Sequence, residues 1–259
     1  MIQINCILLG KTDAGKTTLI ETLKNPEYVN TQSTLYTATN NVASQTITVA
    51  SDNNKLYEVK IVDTPGLNDV RNDIYNQYSN EEKLKLIRNH LFQTDYTFIG
   101  LVFDMKSIIQ EDLASFRILR EYLGETLTWK TLLIITHCEN KRAEDLRQFD
   151  LQLQGENLGE LVSFCKLGHV YTGALNSEVL RYSGVREPML ENVMKLRKDL
   201  LAKVISFDKS PPMMSNRNRS DEREPLILQR RRAKSHYCDC CCECCRDCCN
   251  YICDYCTIL

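Results

Sequence analysis

The chain carries near its N-terminus the octapeptide Gly10-Lys11-Thr12-Asp13-Ala14-Gly15-Lys16-Thr17, which matches the pattern G-x-x-x-x-G-K-[ST]. An apolar run, Ile2 to Leu9, precedes it and is typical of a buried strand. A segment compatible with a helix, Thr18 to Leu23, follows it. A strand, a glycine-containing loop and a helix in this order are the context in which the pattern binds phosphate. The sequence therefore predicts a site for a nucleoside triphosphate, with an ordinary glycine turn as the alternative.

Three kinds of phosphate contact are expected from this octapeptide. Its glycines let successive backbone N–H groups turn inward around a phosphate, because side chains there would block close approach. Lys16 supplies a positive charge for the β- and γ-phosphates, and the Thr17 hydroxyl is a ligand for Mg²⁺. We assign residues 10–17 and the following Thr18 to nucleotide binding, Lys16 also to catalysis and Thr17 also to the metal.

Length and composition suit one α/β domain with a C-terminal appendage. The 259 residues are 43% hydrophobic, which is enough for one core of roughly 200 residues. The net charge of −2 gives no general attraction for nucleic acid, so we expect no nucleic-acid partner. We also expect neither a transmembrane helix nor a secretory signal peptide, because no long apolar run is present. These features predict a cytosolic body in which thiols stay reduced.

The body of the chain, residues 1–207, alternates predicted strands and helices. Strands are predicted at 2–9, 45–50, 57–62, 97–103, 132–136 and near 169–172. Helices are predicted at about 17–24, 81–92, 111–123 and 191–205, with two more between the last two strands. A doubly wound, mostly parallel sheet of the α/β class is expected, and such sheets bind ligands at the carboxyl ends of their strands.

A second motif, Asp63-Thr64-Pro65-Gly66, follows the predicted strand at 57–62. Asp63 can hold Mg²⁺ through a water molecule, and the Gly66 N–H can contact a γ-phosphate. Taken alone, this tetrapeptide is also a common turn. Its place at a strand end, about 45 residues after the phosphate loop, favours the nucleotide role.

A third motif, Thr136-His137-Cys138-Glu139, ends the strand at 132–136 and predicts the choice of base. The Glu139 carboxylate can accept hydrogen bonds from guanine N1–H and N2–H₂ together, a pattern that adenine lacks. His137 is expected to lie over the plane of the base. Tyr171-Thr172-Gly173-Ala174 follows the next strand, where backbone amides, with Ala174 as our candidate, can meet guanine O6. Polar strand ends without a functional role are the alternative for both segments.

These motifs together, GKTDAGKT, DTPGL, THCE and TGAL, resemble the paraseptin branch of GTPases, and most nearly its immunity-associated GIMAP/IAN (avrRpt2-induced-gene) type. Residues 101–112 are similar to the box that this family carries between its third and fourth motifs. The resemblance covers about residues 1–205. It implies a P-loop GTPase domain that binds GTP and GDP, uses Mg²⁺ and forms a homodimer when GTP-loaded. It also implies that Thr17 and Asp63 serve Mg²⁺ and that His137 and Glu139 read guanine.

The chain departs from the family pattern at three positions. Glu139 stands where Asp is usual, and Leu67 stands where Ras-like enzymes have a water-orienting Gln. Lys106 stands where family members often carry an Arg that acts across a dimer, and Lys lacks the planar fork of Arg. Slow GTP hydrolysis is the expected consequence, and a GTP-bound scaffold that does not hydrolyse is the alternative.

The family also uses a threonine of switch I to complete the coordination of Mg²⁺. In this chain it is expected within Thr31–Thr46. We favour Thr39 as this catalytic residue, with Thr37 and Thr46 as alternatives.

Composition changes after Phe207. Residues 208–235 carry Pro, Ser, Asn and mixed charge, which predicts a flexible, disordered linker. The linker ends in the basic run 230–234, for which a nuclear import signal is another use. Residues 236–259 form a tail that holds ten of the 13 cysteines. In a cytosolic protein such a tail is not expected to be a disulfide scaffold.

The tail ends in Cys256-Thr257-Ile258-Leu259, which fits a prenylation box of the geranylgeranyl form. One lipid chain gives only marginal membrane binding, so we expect palmitoylation of Cys248, Cys249 and Cys253 as further anchors. The basic run adds attraction to an anionic leaflet. The sequence thus predicts a protein tethered to the cytoplasmic face of a membrane. A thiolate cluster for Zn²⁺ or Cu(I), which would make the protein a metal buffer, and an unmodified tail are the alternatives.

Overall fold

The computed structural model describes residues 1–29, 42–51, 54–67, 80–105, 110–182 and 184–209, all within one compact unit. The residues predicted to carry lipid, Cys248, Cys249, Cys253 and Cys256, lie outside the described residues. The basic run 230–234, Thr37, Thr39 and Lys106 lie outside them as well. No helix among the described residues is long and apolar enough to cross a membrane.

Strands and helices alternate along the described chain. In chain order the elements are β1 (Ile2–Gly10), α1 (Lys16–Lys24), β2 (Ala43–Ala50), β3 (Leu56–Asp63), α2 (Asn80–Gln93), β4 (Phe98–Asp104), α3 (Gln110–Leu123), a 3-10 helix (Glu125–Lys130), β5 (Thr131–Thr136), α4 (Ala143–Leu153), α5 (Glu156–Phe164), β6 (His169–Tyr171), α6 (Glu178–Arg181), α7 (Arg186–Ile205) and a 3-10 turn (Ser206–Lys209). Every predicted strand and helix is present. The last helix begins five residues earlier than predicted.

The strands form one sheet in the order β2-β3-β1-β4-β5-β6. β1 pairs in parallel with β3 and β4, and β5 pairs in parallel with β4 and β6. β2 is antiparallel to β3, as expected for a hairpin. This arrangement confirms the predicted α/β class, because the parallel strands are joined by helices packed on both faces of the sheet.

Neighbouring residues of β4 show how the sheet separates two cores. Ile99 and Leu101 face one core, to which α2, α3, α4 and α5 contribute. Phe98 and Val102 face the other core, to which α1 and the C-terminal half of α7 contribute. Side chains alternate between the faces of a strand, so an unbroken apolar run such as 98–103 is buried on both sides.

The parallel strands bring their carboxyl ends to one edge of the sheet. β1 ends at Gly10, β3 at Asp63, β4 at Asp104, β5 at Thr136 and β6 at Tyr171. All three predicted nucleotide motifs begin at or directly after these ends. The fold therefore gathers at one edge residues that lie far apart in sequence.

The C-terminal turn packs against the sheet beyond the predicted boundary at Phe207. The rings of Phe207 and Phe98 lie 5.3 Å apart between centroids. The Tyr57 hydroxyl donates a hydrogen bond to Asp208 Oδ2 at 2.9 Å. The described body thus includes Asp208 and Lys209, while the division into a body, a linker and a tail stays a prediction.

Candidate nucleotide-binding site

The phosphate loop folds around the side chain of Lys16. β1 ends at Gly10 and α1 begins at Lys16, after Gly15 has taken a left-handed conformation with φ 87°. The Lys16 ammonium donates hydrogen bonds to the carbonyl oxygens of Gly10 at 3.2 Å and Lys11 at 2.8 Å. The side chain is buried, with 6% of its residue surface exposed. The predicted phosphate-binding lysine therefore lies inside the loop, where two carbonyl oxygens of the loop hold its ammonium.

Burial lowers the pKa of Lys16 to about 8. Desolvation is the main cause, because a charged ammonium is disfavoured away from water. The carboxylates of Asp63 and Asp13 oppose this shift, and the positive charge of Lys83 adds to it. Lys83 lies on α2 and is itself buried, a proximity that no motif in the sequence indicates. A triphosphate beside Lys16 would stabilise the charged form.

The pair Thr17 and Asp63 fits the requirements of a Mg²⁺ site. The Thr17 hydroxyl donates a hydrogen bond to Asp63 Oδ2 at 2.6 Å. Asp63 is 2% exposed, and no hydrogen-bond partner for its other oxygen, Oδ1, is found among the described residues. A buried carboxylate oxygen without a partner is costly, and a hard cation that prefers oxygen ligands would satisfy it.

The segment after β3 packs directly on the phosphate loop. A Cβ at Gly66 would lie 2.4 Å from the backbone nitrogen of Thr12, so only glycine permits this approach. The backbone N–H of Leu67 donates to the Gly10 carbonyl, and that of Thr12 to the Leu67 carbonyl, both at 3.2 Å. The Leu67 side chain is 1% exposed and belongs to the core. A residue held in this way cannot orient a water molecule.

A pocket of about 150 Å³ adjoins the start of α1. Its walls come from α1, from the end of β5 and from the loop after β6. The lining residues are Gly15, Thr18, Leu19, Thr136, His137, Glu139, Thr172, Gly173, Ala174, Leu175, Asn176 and Ser177. The predicted guanine-reading residues therefore share one cavity with the phosphate loop.

Glu139 is held at this pocket by the loop that follows β6. The residue is 4% exposed. A Cβ at Gly173 would lie 2.6 Å from the Glu139 backbone nitrogen, so the two segments can approach only because residue 173 is glycine. The Cys138 N–H also donates to the Thr172 carbonyl at 3.1 Å. The acidic side chain is thus fixed at its backbone rather than carried on a free loop.

His137 and Thr136 connect the base motif to neighbouring strands. The Thr136 hydroxyl lies 2.8 Å from the Ala14 carbonyl and 3.0 Å from the Phe103 carbonyl, either of which can accept its hydrogen. His137 has a left-handed backbone, and its Nδ1 lies 3.1 Å from Asp104 Oδ1. Asp104 lies in the family-like box of residues 101–112, but the sequence alone did not assign it a role.

The structure brings together all the predicted nucleotide residues that it describes, from the phosphate loop to Ala174. Thr39, the favoured switch-I residue, lies outside the described residues. The alternative Thr46 lies on the exposed strand β2 and pairs with Lys60 of β3. Ala43, at the start of β2, is the residue that pairs with Asp63. Three residues of strand separate these positions, about 10 Å. The choice among Thr39, Thr37 and Thr46 stays a prediction.

Most of the chain matches the model of one protein family. The model of the AIG1 family matches residues 4–218. The chain belongs to the AIG1 family. Membership confirms the resemblance to the avrRpt2-induced-gene type and identifies a GTP-binding protein of the GTPase class.

A solved structure shows the same fold. Toc33 from Arabidopsis thaliana, in a dimerization-deficient mutant, matches with a TM-score of 0.52 at 18% sequence identity. The match covers 81% of this AIG1-family chain and 85% of Toc33. No curated protein matches the chain. The six-stranded sheet and its helices are thus those of a P-loop GTPase domain.

We expect GTP binding to take up a proton at mildly alkaline pH. Lys16 has a pKa of about 8 without nucleotide, and phosphate charges would raise it. Between pH ~7.5 and pH ~8.5 the proton uptake should rise by about half a proton, and affinity should fall as pH rises through the free-state pKa. Calorimetric titration of GTP in two buffers of different ionisation enthalpy measures this uptake. Uptake that stays constant would show that Lys16 is already charged in the free protein.

Proposed function

We propose that this AIG1-family protein is a guanine-nucleotide switch that hydrolyses GTP slowly and is tethered to the cytoplasmic face of a membrane by lipids. The nucleotide part rests on one observation: Gly15 and Thr18 line the same pocket as the buried Glu139. A nucleotide needs one contact for its phosphates and another for its base. The phosphate loop and the candidate base-reading carboxylate provide both on one cavity.

Base selection follows from the chemistry of Glu139. Its carboxylate accepts hydrogen bonds only, so it suits the adjacent N1–H and N2–H₂ donors of guanine. Adenine offers an acceptor at N1, which would leave the buried carboxylate unpaired and cost several kcal/mol. Ala174, on the loop after β6, lines the same pocket and can offer its backbone N–H to guanine O6.

Thr17 and Asp63 would hold Mg²⁺ at the phosphate end. When bound, the ion supplies neutralising positive charge for the β- and γ-phosphates. Lys16 adds a second positive charge from inside the loop. The Thr17 hydroxyl can keep its hydrogen bond to Asp63 Oδ2, because it donates its hydrogen there and its oxygen lone pairs remain available for a cation.

Slow hydrolysis is supported by the position of Leu67. Its side chain is buried in the core, so the place of a water-orienting Gln is taken by an apolar group. The positive charge that stabilises the transition state would then come from a partner protein. Toc33 was solved as a dimerization-deficient mutant, and we extend the capacity to dimerise to this chain as part of the proposal.

The tether is supported by the sequence of the tail. A C-terminal Cys-Thr-Ile-Leu box, several upstream cysteines and the basic run 230–234 lie within the last 30 residues. Prenyl, acyl and electrostatic attachment reinforce one another, since no one of them alone gives stable anchoring.

Replacement of Glu139 by Asn tests the choice of base. The variant should bind GTP more weakly and relatively favour xanthosine triphosphate, because an amide can donate to the oxygen that replaces the guanine amino group. Competition against a fluorescent guanine nucleotide measures both affinities. Lys16→Ala is the control and should abolish binding of either nucleotide. If ATP competes as well as GTP against the unmutated protein, guanine selectivity is refuted.

Single-turnover hydrolysis tests the slow GTPase. With excess protein over GTP, we expect a rate constant on the order of 10⁻³ s⁻¹ or less, the range of GTPases without a supplied arginine. The rate constant should increase with protein concentration if a homodimer completes the site. A rate near 1 s⁻¹ in dilute protein would contradict the assignment. GTP that stays intact at every concentration would favour the non-hydrolysing scaffold.

Replacement of Cys256 by Ser tests the membrane tether. In eukaryotic cells the variant should move largely to the soluble fraction, because prenylation delivers the chain to membranes before acylation holds it. Cys238→Ser, the same change at the first tail cysteine, is the matched control and should stay mostly bound. If Cys256→Ser remains on membranes while a chelator releases the protein, a thiolate cluster replaces the lipid hypothesis.

A further inference from the structure

α7 presents a polar side chain on its buried stripe. Met189, Val193 and Leu196 are buried positions of this helix, and the partly buried Asn192 occupies the i, i+3, i+4, i+7 series with them. A polar residue at such a position needs hydrogen-bond partners inside the protein. Its partners identify what the position does.

The side-chain amide of Asn192 points at the loop that carries Glu139. Its Nδ2 lies 2.8 Å from the Glu139 carbonyl oxygen, 3.2 Å from that of Lys141 and 3.3 Å from that of Cys138. The two N–H groups of one amide are thus shared among three carbonyls of residues 138–141. All three acceptors belong to the segment directly after β5.

This contact holds the Glu139 backbone at its carbonyl group, whereas Gly173 packs against its nitrogen. Residue 173 lies so close to the Glu139 nitrogen that there is no room for a Cβ, so the loop after β6 holds the Glu139 backbone by close packing. Asn192 fixes it from the α7 side by hydrogen bonds. Glu has one more rotatable bond than Asp, the usual residue here. Its carboxylate can therefore select a base only if the backbone that carries it does not move.

We infer that Asn192 is a positioning residue for base selection: by holding the carbonyls of residues 138–141, it places the Glu139 carboxylate for two hydrogen bonds to guanine. This inference rests on the proposed guanine specificity. It adds that selectivity depends on a side chain 53 residues away in sequence that does not line the pocket.

Loss of the Asn192 amide should leave α7 in place. Arg197, one turn further along, donates two hydrogen bonds to the Leu23 carbonyl at the end of α1, at 3.0 and 2.6 Å. Met189 and Val193 remain packed in a small apolar cluster with Leu175. The helix is thus attached at independent points, and Asn192 can be changed without detaching it.

The experiment compares GTP with inosine triphosphate, which keeps N1–H but lacks the 2-amino group. Affinities are measured by competition against fluorescent GDP, with thermal unfolding of the nucleotide-free protein recorded in parallel. In Asn192→Ala the preference for GTP over inosine triphosphate should fall about fivefold or more, the size of one lost hydrogen bond. Asn192→Asp should lower it further, because a carboxylate would face three carbonyl oxygens. Lys195→Ala, an exposed change on the same helix, should leave the preference unchanged.

Each result separates the positioning role from a structural one. If GTP and inosine triphosphate weaken equally, or if the preference is unchanged while the unfolding temperature falls, Asn192 only supports the fold and the inference is overturned. If Asn192→Asp does not fold, Asn192→Ser removes the amide with a smaller change and must show the same loss of preference. If the unmutated protein prefers neither GTP nor inosine triphosphate over ATP, the proposed guanine function fails, and the inference fails with it.

Discussion

The buried positive charge of Lys16 determines what the surrounding chain must supply. An ammonium removed from water is costly unless oxygen atoms replace the solvent. Here the Gly10 and Lys11 carbonyls do so, with the carboxylates of Asp63 and Asp13 close enough to favour the charge. This set exists because β1 and β3 run in parallel and end side by side. The depressed pKa shows that the compensation is incomplete, which leaves Lys16 prepared for a phosphate.

The same framework carries the base end of the site. The Thr136 hydroxyl, at the end of β5, lies within hydrogen-bond distance of the Ala14 carbonyl in the phosphate loop. Thr136 and Ala14 are 122 residues apart, and their contact fixes the spacing between the two ends of the nucleotide. Since both ends rest on strands rather than on free loops, binding costs little ordering of the described residues. The family-wide P-loop architecture therefore also dictates where Glu139 must stand.

Local pattern was enough to predict the strands, the phosphate loop and the edge where the motifs meet, because each depends on a few consecutive residues. Features set by distant contacts were not predictable. The early start of α7 at Arg186 has a local reason instead, because Pro188 is tolerated in the first turn of a helix. The burial of Leu67, the contact of Asp104 with His137 and the carbonyl partners of Asn192 require the fold itself. A polar residue in the apolar stripe of α7 was the one available signal for Asn192.

α7 runs from the base end of the nucleotide site to the opposite edge of the sheet. Asn192 contacts the base loop near the start of the helix, and the helix ends at Ile205. Thirteen residues of helix separate these points, about 20 Å. The following turn packs on Phe98 and Tyr57, near the amino ends of β4 and β3, whereas the nucleotide motifs lie at the carboxyl ends. The described chain thus reaches its last residue, Lys209, at the edge of the sheet opposite the pocket, so α7 links the two edges of the domain.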